Sequence, residues 1–212
     1  MKLIKLITIL SLLALLPSCG SREQIAAQAQ NGVDQFQDEN IAAPELKENL
    51  VINGSFEEGH GLLNRQWGVF SEILGWKADL ESVDAPMEIQ VGNIGGLVPS
   101  NKQAKLELDS HNRNGYTQSD AHIYQDINLE IGEYYVVEFD YAPRVETGTQ
   151  SSDVEFYFGG DLIETLHGEK KEWNHYRYLI QADSDVMRLE FRAIIDNDTL
   201  GGYIDDVRVY KY

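Results

Sequence analysis

The 212-residue chain is poor in cysteine and in cations. Its single Cys, at position 19, excludes an internal disulfide framework and any metal site built on clustered thiolates. Lys and Arg number 17 against 35 Asp and Glu, for a formal charge of −18 and a pI near 4.5. Duplex nucleic acid, which draws much of its affinity from cations that neutralise phosphates, is excluded as a main partner. Sustained 3.6-residue periodicity is missing after residue 48, which argues against a helical domain. Catalytic signatures are missing too: there is no G-x-S-x-G, H-E-x-x-H, P-loop or dinucleotide fingerprint. The five histidines, His60, His111, His122, His167 and His175, have no metal-ligand spacing.

What is there suits an exported β protein. Hydrophobic residues make up 42% and aromatics 10%, too apolar for general disorder, and 18 Gly and 11 Tyr fit a turn-rich β fold. The first segment, MKLIKLITILSLLALLPSC, places Lys2 and Lys5 ahead of an apolar run too short to span a bilayer comfortably, as in a secretory leader. Its end, Leu16-Pro17-Ser18-Cys19, resembles the lipobox of bacterial lipoproteins. The resemblance implies removal of residues 1–18 and acylation of Cys19, palmitate among the acyl chains, as a lipid anchor. Gly20 in place of Asp points to the outer membrane, with the leaflet left open. Losing Lys2 and Lys5 takes the charge from −18 to −20. Residues 19–48, rich in Gln, Ala, Glu and Asn, read as a flexible tether.

From residue 49 to 212 short alternating runs are divided by Gly, Asn and Asp. Strands are predicted over 50–56, 87–91, 104–108, 123–127, 134–141, 154–158, 173–180, 187–193 and 203–210. In 187–193, Met187, Leu189, Phe191 and Ala193 share one face and Arg188, Glu190 and Arg192 the other. Eight to ten strands predict an all-β jelly-roll sandwich.

Two acidic spots stand out. In GGYIDDVRVY, alternation sets Asp205 on the face of Val207 and Val209, where a carboxylate needs a cation or several donors. In NGSFEEG, Glu57 follows Phe56 as the chain enters the domain. If the terminal strands lie together, Glu57, Asp205 and Asp206 meet around one hard cation, and calcium suits an oxygen-only set. The plainer alternative is that Asp205 caps a bulge or meets a Tyr or Arg while Glu57 is solvated. The loop 109–115 lacks D-x-D-x-D-G spacing and reads as an Asx-rich turn.

The ordered set NLVINGSFEEG, GW at 75–76, MEIQ at 87–90, LELDS at 106–110, IYQDI at 123–127, VEFDYAPR at 137–144 and YIDDVRVY at 203–210 resembles the galactose-binding-domain-like jelly rolls. Similar end motifs occur in cell-wall proteins and several families of carbohydrate-binding module. The resemblance covers 49–212 and implies a jelly roll, with a structural calcium held by Glu57 and by Asp205 or Asp206. An inserted GHGLLNRQWGVFSEI separates NGSFEEG from GW.

Sugar recognition calls for flat apolar rings beside planar polar side chains. Trp76, Glu88, Gln90, Asp109, Tyr116 and Arg144 lie in or beside these motifs, and Trp67 in the insertion is a candidate exposed ring. The acidic charge favours a neutral glycan over anionic polymers. The expectation is a non-catalytic, lipid-anchored envelope module that binds carbohydrate. The alternatives are a structural or adhesive protein that binds another protein, and a glycoside hydrolase or lyase, which requires two close carboxylates in one cleft.

Overall fold

The computed structural model describes residues 47–109, 117–144, 152–194 and 200–212. The leader, Cys19, nearly all of the tether, and Tyr116 lie outside the described residues. Among the described residues twelve strands follow one another: β1 (Trp67–Phe70), β2 (Glu72–Ile73), β3 (Trp76–Ala78), β4 (Met87–Val91), β5 (Ala104–Glu107), β6 (His122–Asn128), β7 (Tyr134–Pro143), β8 (Val154–Phe158), β9 (Asp161–Leu166), β10 (Asn174–Gln181), β11 (Val186–Ala193) and β12 (Gly202–Lys211). They form two six-stranded antiparallel sheets, ordered β1-β4-β5-β12-β7-β10 and β2-β3-β6-β11-β8-β9. The domain is an all-β jelly-roll sandwich.

Alternation explains how the sheets face each other. Met187, Leu189, Phe191 and Ala193 are buried inward on β11, and Met87, Ile89 and Val91 on β4 face them from the first sheet. Aromatic rings lock the two layers. Phe139 of β7 meets Phe156 and Phe191 of the second sheet edge-on, with centroids 4.9 Å apart in each pair. Trp76 packs at a tilt against Phe56, with centroids 5.1 Å apart, and its Nε1–H donates to the Asn53 carbonyl at 3.0 Å. Such pairs add about 0.5–1.5 kcal/mol each beyond the area they bury.

Three sequence expectations are corrected. Residues 50–56 form no strand: positive φ at Asn53 and Phe56 breaks the extended path, while Leu50 N–H still donates to the Val209 carbonyl at 2.7 Å. The segment therefore lies along β12 without joining its ladder, and it packs so closely that a Cβ on Gly54 would fall 2.0 Å from the Val207 carbonyl oxygen. The inserted stretch contributes β1 and β2, and the exposed DLIETL forms β9 at the edge of the second sheet. On β12 a register shift between Asp205 and Arg208, with Asp206 at φ 52°, breaks the alternation. Asp205 consequently shares the outer face with Tyr203, while Ile204, Val207 and Val209 enter the core.

Candidate functional site

With Met87, Ile89, Val91, Ala104, Leu106 and Ile204 turned inward, the intervening residues of the first sheet face outward. Register then places Trp67 of β1 opposite Gln90 of β4, and Gln90 opposite Lys105 of β5. In the adjacent row Glu88 lies opposite Glu107, and Glu107 opposite Tyr203 of β12. An aromatic ring, an amide, two carboxylates, an ammonium and a phenol thus share one face.

These groups are wired together. Gln90 Nε2 donates to Glu88 Oε1 at 2.8 Å and to Glu107 Oε2, and Arg144 ion-pairs with Glu107 Oε1. The Gly201 N–H adds a third donor to Glu107 at 3.2 Å. Lys105 points its ammonium over the Tyr203 ring, 4.9 Å from the centroid. Glu88 and Gln90 are 1% exposed and Lys105, Glu107 and Tyr203 0%, whereas the Arg144 side chain keeps 19%. Burial, reinforced by Glu88, pushes the Glu107 carboxyl up to about 8 despite Arg144. Burial also lowers the Lys105 amine to about 8, against the pull of Glu107 and Asp205.

Trp67, Glu88, Gln90 and Arg144, expected from sequence, are brought to this one face. Trp67 is half-buried and offers a partly open ring. Glu88 and Gln90 are covered, so they support Arg144 and Glu107 in this conformation instead of meeting solvent. Trp76 is corrected: at 0% exposure it belongs to the inter-sheet core and offers no surface to a ligand. Asp109 is likewise sealed, its Oδ2 accepting the Leu200 N–H at 2.8 Å, so it fastens the end of β5 to the approach of β12. Lys105, Glu107 and Tyr203 were missed. Their signal was charged and polar residues alternating along 104–108 and 203–205, which reads as a solvated face until something covers it.

The acids expected to hold calcium do gather at one place, around a hollow of about 330 Å³ lined by Asn53, Glu57, Asn101, Lys102, Asp206 and Arg208 among others. Their oxygens are engaged by N–H donors. Glu57 Oε1 accepts from the backbone of Gln103 at 2.8 Å and Ala104 at 2.7 Å. Asp205 accepts the N–H groups of Asn101 at 2.9 Å and Asp206 at 2.7 Å, and burial nonetheless raises its carboxyl to about 7. Asp206 accepts from the Asn101 amide and ion-pairs with Arg208, while Lys102 reaches into the same hollow to Ser55 at 3.2 Å. Among the described residues no three His, Cys, Asp or Glu side chains are grouped to hold a metal ion. With Lys102 and Arg208 beside it and N–H donors already on Glu57 Oε1, Asp205 and Asp206, this donor set does not fit calcium as it stands. The carboxylates instead cap the turn into β5 and the β12 bulge.

Comparison with known proteins places the domain. A family described as "Protein of unknown function (DUF642)" matches residues 49–210. The chain belongs to the DUF642 family. The chain is similar to part of the multifunctional-autoprocessing repeats-in-toxin of Vibrio cholerae serotype O1, 27% identical over 172 residues and 80% of this chain. The corresponding toxin of Vibrio vulnificus is 28% identical over 161 residues, 75% of this chain. The chain spans only 3% of either toxin's length. Among solved structures, TmCBM61 in complex with beta-1,4-galactotriose is 14% identical with a TM-score of 0.45, over 78% of this chain and 99% of that one. A CBM22-1 xylan-binding domain from Paenibacillus barcinonensis is 13% identical with a TM-score of 0.41, over 80% and 97%. A family 16 carbohydrate-binding module gives 14% and 0.44, over 76% and 99%.

Proposed function

We propose that the β domain is a non-catalytic carbohydrate-binding module, displayed on an outer membrane from a lipid anchor at Cys19, that takes a neutral glycan on the outer face of its first sheet. The observation that carries the reading is Trp67: a half-buried ring on the edge strand, in register with Gln90 and Lys105 and flanked by a polar network that fixes Arg144. A pyranose presents C–H groups to such a ring and hydroxyls to planar polar neighbours. The charge of −18 favours a neutral glycan over an acidic one. The anchor and its membrane rest on the pattern of residues 1–19.

Glu88 and Glu107 are a close carboxylate pair of the kind a hydrolase requires. One amide bridges both, and neither is more than 1% exposed, so in this conformation no glycosidic bond fits between them. Sealed aromatic rings beside a contiguous apolar patch elsewhere would favour the adhesive alternative, whereas Trp67 and Trp173 both keep exposed surface. Affinity electrophoresis and a glycan array with the detergent-solubilised full chain test the proposal. Retention on a neutral polysaccharide is expected, and retention on none across the panel overturns it.

A further inference from the structure

Residues 92–100 connect β4 to β5 by crossing the outer face of the first sheet, directly above the buried polar network. Side chains hold this crossing in place by donating to its carbonyls. Lys105 Nζ reaches Ile94 O at 3.0 Å and Gly92 O at 3.5 Å, Lys171 Nζ reaches Gly95 O at 3.2 Å, and Trp173 Nε1 reaches Val98 O at 2.8 Å. Among the described residues its bridge pairing is internal, Ile94 with Leu97, and it adds no strand to either sheet. Its apolar side chains stay out of the core, with Val98 57% exposed. A segment with few buried apolar contacts and polar ties opens more readily than the ladders beneath it.

The surface underneath is poorly served while covered. Gln90 Oε1 is buried with no hydrogen-bond partner among the described residues, and the buried Tyr203 hydroxyl meets the Gln90 side chain but no hydrogen-bonding group of the strap. Gly95 presses so closely that a Cβ there would lie 1.9 Å from the Tyr203 hydroxyl oxygen, and its φ of 66° suits glycine. Water or a hydroxyl-bearing ligand could pair with both oxygens, which the strap's own backbone does not. The network sets Gln90, Glu88 and Glu107 beside Lys105 and Arg144, so the floor offers both donors and acceptors to a hydroxyl-rich ligand.

We propose that residues 92–100 form a strap that lifts from the first sheet, and that lifting extends the binding face from Trp67 to Gln90, Lys105 and Tyr203 for a neutral, hydroxyl-rich ligand. The ligand part rests on the glycan reading above, and the motion does not. An open strap exposes the Lys105 ammonium, and a closed one hides it.

Acetylation of Lys105 in the full chain, followed by peptide mass mapping, reports the motion. Labelling is expected under native conditions at a rate indifferent to low urea. It should be about fivefold or more faster in the Lys171→Met/Trp173→Phe double variant, which loses two ties. The probes are neutral xylo-, cello- and β-1,4-galacto-oligosaccharides, and one of them should slow the labelling. Tyr203→Phe should weaken that oligosaccharide about 2- to 10-fold, the worth of one hydrogen bond. Labelling that appears only with global unfolding, or that the double variant leaves unchanged, overturns the strap. Strap opening that no oligosaccharide affects upholds the motion and overturns the glycan reading.

Discussion

Replacing Glu107 with Gln should make the domain gain stability relative to the wild type as pH rises. Glu107 is buried, accepts from Gln90, Arg144 and Gly201, and has its carboxyl pushed from 4.5 up to about 8, first by burial and then by Glu88. A folded-state pKa above the unfolded one means that the native state holds the proton more tightly. The associated stability is present in full below about pH 4.5 and is lost as pH climbs towards about 8. One proton sets a slope of about 1.4 kcal/mol per pH unit, so the loss across that window amounts to a few kcal/mol. Gln keeps the shape and has nothing to titrate. At pH 5 the variant should be less stable by about 1 kcal/mol, the worth of an imperfectly replaced hydrogen bond. By pH 8 the order should reverse. Because every other carboxylate is common to both proteins, the difference isolates this group. Urea unfolding followed by tryptophan fluorescence at pH 5, 6, 7 and 8 reads it directly. A Glu107→Gln minus wild-type difference that stays flat across these pH values would refute the buried, proton-holding Glu107.

Other expectations follow from the same contacts. Lys105, lowered to about 8 chiefly by burial, has the opposite linkage, so its contribution should rise between about pH 8 and 10.5, and a wild-type stability profile that keeps falling there would contradict its burial. Trp76→Ala empties the inter-sheet core and should cost about 3–5 kcal/mol in urea titration. Asp206→Val puts a β-branched residue at φ 52° and removes the Arg208 pair, so it should cost more than Asp206→Asn, by about 1–2 kcal/mol in the same assay. With Glu57, Asp205 and Asp206 satisfied by N–H donors, chelator should leave the melting temperature where it is, and a clear drop would mean that these acids regroup around a cation.

The fold was legible where local chemistry sets the alternation. Met187 through Ala193 and the 87–91 and 104–108 runs carry their inward faces in the residue order itself. Residues 50–56 read as a strand because Val51 and Phe56 are apolar, but positive φ at Asn53 and Phe56 is a tertiary outcome of lying along β12. The Asp205 face was misassigned for a related reason: a one-residue bulge reverses every later side chain, and DDV does not announce it. The site was half legible. Trp67 and Arg144 have the residue types that sugar binding requires, and register brings them to the face of Gln90. Lys105 and Glu107 looked like solvated residues because the segment just ahead of β5, 92–100, carries no periodic signal that announces it folds back over them. Trp76 was a binding candidate by residue type and motif alone, and the Asn53 carbonyl and the Phe56 ring decide that it is core.

Titration of the best neutral glycan from the array into wild-type protein and Trp67→Ala tests the central claim most directly. On this account the wild type binds, while Trp67→Ala loses about tenfold or more in affinity, roughly 1.4 kcal/mol, and melts close to the wild type because the ring is half-buried at a sheet edge. Equal affinity in the two proteins, or no binding of any neutral glycan to the wild type, would contradict it.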